Sequence, residues 1–373
     1  MAKSAAAMVT VGDREVRVSS PDRVVYEATE RTPQITKLEV CEYVAAVGDV
    51  MMRSIGERPT AMERWPDGWR DGMRLATGPQ DREGDGFYQK RLPRGAPDFV
   101  ETVRIQFPGG RFADELCPTE PASLVWAAQM GTLTFHPWPV RRADVDHPDE
   151  LRIDLDPQPG RDFADAVEAA FALKELMESL GFTPFVKTSG NRGVHVYARI
   201  APTREFLDVR HGVIGIAREL ERRLPDLVTT EWWKELRGEK VFVDFNQANR
   251  DRTIAAAYSP RPLTGAPVSM PVAWSELRDV KPSDFTVRTV PGIVADRGDA
   301  WEPADGASMI GTCPVLPLPP EHALAVGLTS YDGTITYGLH ADRDAVPDLD
   351  VLAQAVHDAI DELEHATRGS RRR

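Results

Sequence analysis

The stretch Leu151-Arg152-Ile153-Asp154-Leu155-Asp156-Pro157 decides how the chain is read. Its apolar residues alternate with Arg152, Asp154 and Asp156, the period of a strand with one buried face. Side chains two apart share a face, so Asp154 and Asp156 project together, about 7 Å apart along the strand. Pro157 lacks the N–H that a ladder needs, which predicts the strand's end there. Two like charges at a strand end repel unless a cation lies between them, and oxygen donors suit Mg²⁺ or Mn²⁺. By itself an Asp-x-Asp is more often a plain acidic strand-to-loop turn, so the reading depends on its surroundings.

Downstream, Phe163, Val167, Ala170, Phe171, Met177 and Leu180 recur at helical spacing and predict a helix over 162–180, with Gly181 as its stop. Strands are predicted at 182–187, 193–200 and 240–245, and a helix at 205–223. In the second of these strands Val194, Val196, Ala198 and Ile200 share one face, and His195, Tyr197 and Arg199 the other. The third carries Asp244 near its end. Between the first two strands runs Ser189-Gly190-Asn191-Arg192-Gly193-Val194-His195. Its two glycines, small polar groups and cation offer N–H groups and charge to phosphate oxygens, although such a turn is also an ordinary hairpin. Three carboxylates combined with a phosphate-suited turn fit metal-assisted nucleotidyl transfer, in which paired cations roughly 3.5–4 Å apart hold the attacking and leaving oxygens.

Upstream, Thr36 to Met52 suits an amphipathic helix with Thr36 as N-cap. A weak edge strand is expected at 11–18, and residues 53–98, rich in Pro, Gly, Arg and Trp, read as irregular surface with short strands. A strand at 99–107, a short helix at 121–130 and a strand from Thr132 to Phe135 lead to His136-Pro137-Trp138. The 373 residues carry a formal net charge of −13 and 42% hydrophobic residues. That composition supports a globular core. The charge alone argues against a phosphate-rich partner, yet it does not say where charges lie. Cations gather at 14–23, 90–94, 187–199 and 234–261. Cys41, Cys117 and Cys313 are too scattered for a disulfide framework or a cysteine zinc site. No run reaches membrane-spanning length, so a soluble cytoplasmic chain without a membrane partner is expected.

Asp154-Leu155-Asp156-Pro157, Thr188 to His195 and Val241-Phe242-Val243-Asp244 resemble the three motifs of archaeo-eukaryotic primase-type polymerases. The likeness is greatest to the polymerase domain of bacterial ligase D and its standalone Prim-PolC-like relatives. It runs from about residue 12 to 290 and takes in Arg64-Trp65-Pro66, Phe87-Tyr88-Gln89-Lys90, Val125-Trp126 and Gln247 to Arg261. The resemblance implies an α+β fold: an RRM-like catalytic sheet with flanking helices and an N-terminal β/α subdomain. It implies that Asp154, Asp156 and Asp244 are catalytic and hold two divalent ions, Mn²⁺ or Mg²⁺. Ser189, Asn191, Arg192 and His195 would hold the incoming triphosphate, with Arg237, Arg252 and Arg261 closing on it and His136 beside the sugar. Phe87 and Tyr88 would stack on the template base, with Lys90 and Arg64 also on DNA. Arg23 and Lys37 match two cations that bind a recessed 5′-phosphate in ligase D. A third, a lysine in that family, is Glu63 here, which leaves 5′-phosphate recognition and a strict end-joining role open.

The expected domains are a disordered 1–10, a primase-polymerase domain over 11–290, a Pro-rich linker at 291–320 and a hairpin-helix extension at 321–373. A second Pro-rich linker is expected at 259–271. The tail's Leu328 to Gly333 and Tyr337-Gly338-Leu339 resemble the C-terminal segment of wax-ester-synthase-type acyltransferases, but the His-His-x-x-x-Asp-Gly signature is absent and no acyl transfer is inferred. The expected activity is template-directed extension of a 3′ end with ribonucleotides preferred, filling short gaps in nucleoid DNA. Gapped or primer-template DNA and nucleoside triphosphates are the expected partners, together with a separate ATP-dependent DNA ligase. A non-catalytic gap-binding module that recruits a ligase, and a metal-dependent nuclease or glycosyltransferase, remain the alternatives.

Overall fold

Alternating apolar residues and a glycine at the bend fold the N-terminus into a hairpin. In the computed structural model β1 (Ala6–Val11) pairs antiparallel with β2 (Arg14–Ser19), and Gly12 turns between them at φ +57°. The structure describes residues 6–301 and 323–370, apart from positions 31, 79, 108, 332–333 and 343. The expected disorder at 6–10 and single strand at 11–18 are thus corrected: Val9, Val11, Val16 and Val18 are buried and hold both strands on the core.

After β3 (Val24–Tyr26) and β4 (Ile35–Thr36), Thr36 caps α1 (Lys37–Ala46) through a reciprocal capping box with Glu39. The expected single helix breaks at Val47 and resumes as α2 (Gly48–Ile55). Gly48 lies so close to Pro121 that a Cβ would meet it at 2.8 Å.

The stretch read as irregular surface holds a buried strand, β5 (Thr60–Arg64), and β6 (Phe87–Gln89). With β7 (Thr102–Gln106), β8 (Phe112–Leu116) and β9 (Thr132–Pro137) they form a five-stranded sheet, and α3 (Pro121–Gln129) links its last two strands. Thr60 to Glu63 are all buried, so β5 has no exposed face to produce alternation.

The second sheet has the order β13-β14-β10-β12-β11-β15. Its strands are β10 (Glu150–Pro157), β11 (Phe185–Thr188), β12 (Val194–Arg199), β13 (Val228–Thr229), β14 (Val241–Asp244) and β15 (Pro271–Val272). Helices α4 (Phe163–Ser179), capped by Asp162, and α5 (Phe206–Arg223) pack on it. Pro157 ends β10 as expected. At the other end of that strand, buried Glu150 is ion-paired with Arg58 at 2.9 Å, Arg152 at 2.7 Å and Arg199. This satisfies a charge that would be costly to bury alone.

The segment 259–271 is no linker. Ser259 Oγ accepts from Phe135 N–H at 2.9 Å, Thr134 Oγ1 donates to Pro260 O at 2.8 Å, and Thr188 N–H donates to Met270 O at 2.9 Å. Residues 259–270 therefore tie β9 of one sheet to β11 of the other. Nor are residues 291–301 of the linker expected at 291–320 a linker. Helix α6 (Val290–Arg297) is formed, and buried Trp301 packs on Phe185 and Tyr197 while its indole donates to Val186 O. Residues 302–320 lie outside the described residues.

The remaining unit holds an antiparallel hairpin, β16 (Leu324–Tyr331) with β17 (Thr334–Ala341), and a helix at Leu349–Ser370. Hairpin and helix are as expected; the Asp332-Gly333 turn and the basic end at 371–373 lie outside the described residues.

Candidate active site

Strand pairing builds the site. β10 lies between β12 and β14, and the register places Asp154 opposite Asp244 on one side and His195 on the other. His195 in turn faces Lys187 on β11. Opposed residues of an antiparallel pair project to one face, with Cβ atoms about 4.5–5.5 Å apart. Asp244, Asp154, His195 and Lys187 therefore form a polar row across four strands, and Asp156 adds a further carboxylate to that face.

Burial and the charges of Asp244 and Asp156 push the Asp154 carboxyl up to about 8. Desolvation raises Asp156 as well, against the hydrogen bond that Gln158 Nε2 donates to it at 3.1 Å and the charges of Arg192 and Arg237. Asp244 accepts from Asn246 N–H and from Gln247 Nε2, both at 2.9 Å. As placed, no three His, Cys, Asp or Glu side chains among the described residues form a closed ligand set. The donor chemistry nonetheless fits a hard cation: oxygen donors share one face, and burial together with neighbouring carboxylates disfavours the charged forms of Asp154 and Asp156, which a cation would restore. Asp154, Asp156 and Asp244 are the residues that could hold it.

His195 is buried and held well below the ordinary histidine range, first by burial and then by the charges of Lys187 and Arg261. Lys187 is fully buried and likewise held well below its usual range, by burial and Arg261. The Ser269 hydroxyl donates to Thr188 O at 2.8 Å, so its oxygen accepts from Lys187 Nζ. Lys187 Nζ and His195 Nδ1 are hydrogen-bonded at 2.6 Å. His195 Nε2 lies 3.4 Å from Asp154 Oδ1.

The glycine turn closes on itself. Ser189 N–H donates to Gly193 O at 3.0 Å, and Ser189 Oγ accepts from the N–H of Asn191 at 3.1 Å and of Gly193 at 3.0 Å. Arg261 Nη1 donates to Ser189 O at 3.1 Å, while its buried Nε has no partner among the described residues. Gly190 at φ +76° passes so close to Arg261 that a Cβ would meet its Cγ at 2.6 Å. Asp154, Asp156, Ser189, Asn191, His195 and Arg261 line a cavity of 220 Å³, with His136 and Gln247 also in its wall.

Arg192 is exposed, and its charge acts on Asp156. Arg237 donates to Glu231 O and Trp232 O and stacks 3.4 Å over Phe242, opposite Asp156 on β14. Arg252 is exposed and does not line the cavity, whose wall there is Thr253, Ile254 and Ala255.

Phe87 and Tyr88 are 37% and 45% exposed, so neither is core. With Lys90 and Phe112 they line a larger cavity of 1030 Å³. Tyr88 meets the His136 ring edge-on at 5.1 Å, Arg64 lies 5.4 Å over Phe87, and Lys90 lies 4.5 Å over Phe107.

Arg23, Lys37 and Arg64 line a separate cavity of 260 Å³. Burial, together with the charges of Arg23 and Arg64, lowers the Lys37 ammonium, while Arg23 is ion-paired with Asp67 at 3.4 Å. Glu63, matched in sequence to this cluster, is not in it. Alternation on β5 sends Arg64 to this cavity and turns Glu63 toward His136.

Lys187 and Gln247 were not among the sequence candidates. Lys187 was legible in principle, because it and His195 stand equally far from Asn191 and a hairpin through that turn must pair them. Gln247, on the short helix after β14, carries no comparable signal.

A family model described as the primase-polymerase domain of LigD matches residues 36–301, and the chain belongs to that family of metal-dependent, DNA-directed nucleotidyltransferases. The model of the WS/DGAT C-terminal domain matches residues 304–364. The multifunctional non-homologous end joining protein LigD of Mycolicibacterium smegmatis is 31% identical over 297 residues, 79% of this chain and 37% of that protein. The bifunctional LigD of Bacillus subtilis is 30% identical over 284 residues, 74% of this chain and 42% of that protein. The chain thus spans less than half the length of these relatives. The solved polymerase domain of Mycobacterium tuberculosis ligase D, in complex with DNA, superposes with a TM-score of 0.68 at 29% identity, covering 79% of this chain and 99% of that one.

Proposed function

We propose that the chain extends a DNA or RNA 3′ end across short gaps in DNA, under template direction and with ribonucleotides preferred. One observation carries the reading: the register of β10 with β14 and β12 sets Asp244, Asp154 and His195 side by side, and Asp154 and His195 share a cavity with Ser189, Asn191 and Gly193. In this reading Asp154, Asp156 and Asp244 hold two divalent cations, Mn²⁺ or Mg²⁺. Such a pair would lower the pKa of the attacking 3′-hydroxyl and neutralise the departing pyrophosphate. The Asn191 side chain, Arg192, Arg237 and Arg261 hold the triphosphate, with Ser189 shaping the turn, His195 aimed at Asp154 and Arg252 an outer contact. Fixing the nucleotide this way aligns the reacting oxygen and phosphorus. Phe87 and Tyr88 stack on the template base, a contact worth about 1–3 kcal/mol per base, and Lys90 lies beside them.

The cavity of Arg23, Lys37 and Arg64 has the charge to take a 5′-phosphate across the gap, and Glu63 does not intrude on it. The relatives' end-joining names and the DNA in the solved relative support repair of nucleoid DNA, with a separate ligase sealing the product. No helix of the described residues is long and apolar enough to cross a membrane. A binding module alone would gain nothing from carboxylates facing phosphates.

The test is primer extension on a gapped duplex with Mn²⁺, offering ribo- or deoxyribonucleotides and gaps with or without a 5′-phosphate. Asp244→Ala should abolish extension while the gel shift on gapped DNA persists. Undiminished extension by that variant overturns the assignment.

A further inference from the structure

Two tryptophans stand in solvent beside the carboxylates. Trp232 and Trp233 are 46% and 65% exposed, with Leu236 at 65%, whereas the six other tryptophans are buried or half-buried. Large apolar side chains grouped in solvent mark a contact surface. These three belong to the segment that joins β13 to β14 and turns through a short 3₁₀ helix at Lys234–Leu236. The segment is tied down at its root. Arg237 donates to Glu231 O at 3.1 Å and to Trp232 O at 3.0 Å and stacks on Phe242, and the Trp232 ring meets Phe245 at 6.4 Å. Phe242 stands opposite Asp156, and Phe245 follows Asp244. The two tryptophans thus form a ledge anchored next to two of the three carboxylates.

Sheet order decides which reactant the ledge can meet. β10 lies between β14 and β12. The phosphate-suited turn joins β11 to β12 on one side of β10, and the ledge joins β13 to β14 on the other. Displacement at phosphorus keeps the attacking and leaving oxygens in line. With the leaving phosphates at the turn and Arg261, the 3′-hydroxyl reaches the carboxylates from the β14 side, and the strand that carries it passes the ledge. Phe87 and Tyr88 belong to the other sheet, so the ledge is no part of their platform for the template base. Along the segment Glu231, Glu235 and Glu239 offset Lys234, Arg237 and Lys240, so it has no net charge to draw phosphates. What it offers is flat apolar surface, which suits the sugar and base faces of a nucleic-acid strand.

We infer that Trp232 and Trp233 bind the 3′-terminal nucleotides of the strand being extended, packing on their sugars and on any base not paired to the template. The ledge holds the 3′ end over the carboxylates and takes no part in the chemical step. The inference rests on the polymerase reading above.

The experiment sets the unaltered protein beside the double variant Trp232→Ala, Trp233→Ala, with a thermal melt to show that both are folded. On the gapped duplex with Mn²⁺, KM for the duplex should rise about tenfold in the variant, the loss of one stacking contact, while KM for the nucleotide stays the same. Fluorescence anisotropy should show the same weakening on the gapped duplex, and none on that duplex lacking its upstream primer strand. The slope of log Kd against log salt should not change, because no phosphate contact is removed. Phenylalanine at both positions should restore most of the affinity. A fall in kcat with both KM values rising together, as a disturbed Arg237 would give, overturns the inference. So does equal weakening with and without the primer strand, or no change on either, which would leave the ledge to a protein partner. No extension by the unaltered protein sinks the polymerase reading and this inference with it; extension with an unchanged KM for the duplex sinks this inference alone.

Discussion

Asp154 shows what a single carboxyl reports about its surroundings. Its pKa of about 8 lies well above its ordinary 3.8, so the folded protein binds this proton more tightly than the unfolded chain does. Stability from this group is therefore complete below about pH 4 and lost as pH rises through about 8. In EDTA the Tm should fall across that window, and Asp154→Asn should flatten the fall. Mn²⁺ should raise the Tm more at pH 8 than at pH 5, because the proton competes for the same oxygens. Thermal melts of parent and variant with and without Mn²⁺ check this; equal slopes for the two proteins would contradict it. Asp154, Asp156 and Asp244 could be singled out from their motifs. The environment of each could not, because burial and neighbouring charge come from other strands. Glu115 makes the same point: it is fully buried, accepts from Trp138 Nε1 at 3.0 Å and is pushed up to about 7 by that burial.

At the scale of elements, the turn between β11 and β12 matters most. Gly190 has a φ that L side chains rarely adopt, and it touches the Arg261 stem. Gly190→Ala should displace Arg261 and weaken binding of a non-transferable nucleotide about tenfold, at a stability cost of about 1 kcal/mol or more. A fluorescence titration beside a urea melt reads both, and unaltered affinity would show that Arg261 does not depend on the turn. β10, β12 and β14, α4 and α5 were legible because one face of each is apolar at a regular period. β5 was not, since Thr60-Ala61-Met62-Glu63-Arg64 has no face of regularly spaced large apolar residues. Nor was the role of 259–271, because a Pro-rich segment has the same composition whether it spans solvent or wedges between two sheets.

For the whole molecule, a net charge of −13 coexists with a cavity lined by Arg23, Lys37 and Arg64, so total charge does not say where cations gather. The chain divides into a large unit, where the site lies, and a C-terminal hairpin and helix. A protein ending just past Trp301 should melt cooperatively and keep gap extension within about twofold. The cut must spare Trp301, whose indole is held by Val186 O on β11. Loss of the cooperative melt on truncation would show that the tail supports the large unit. The sequence by itself determined the faces, the caps and the hairpin symmetry that pairs Lys187 with His195, because each follows from residues within a few positions of one another. Only the tertiary structure decided that Asp244 lies beside Asp154, that Arg261 reaches Ser189 and that Glu63 turns to His136 rather than to Lys37. Periodicity fixes which way a side chain points from its own strand. Which strand comes to lie alongside is settled by long-range burial and loop closure, and those are properties of the assembled core.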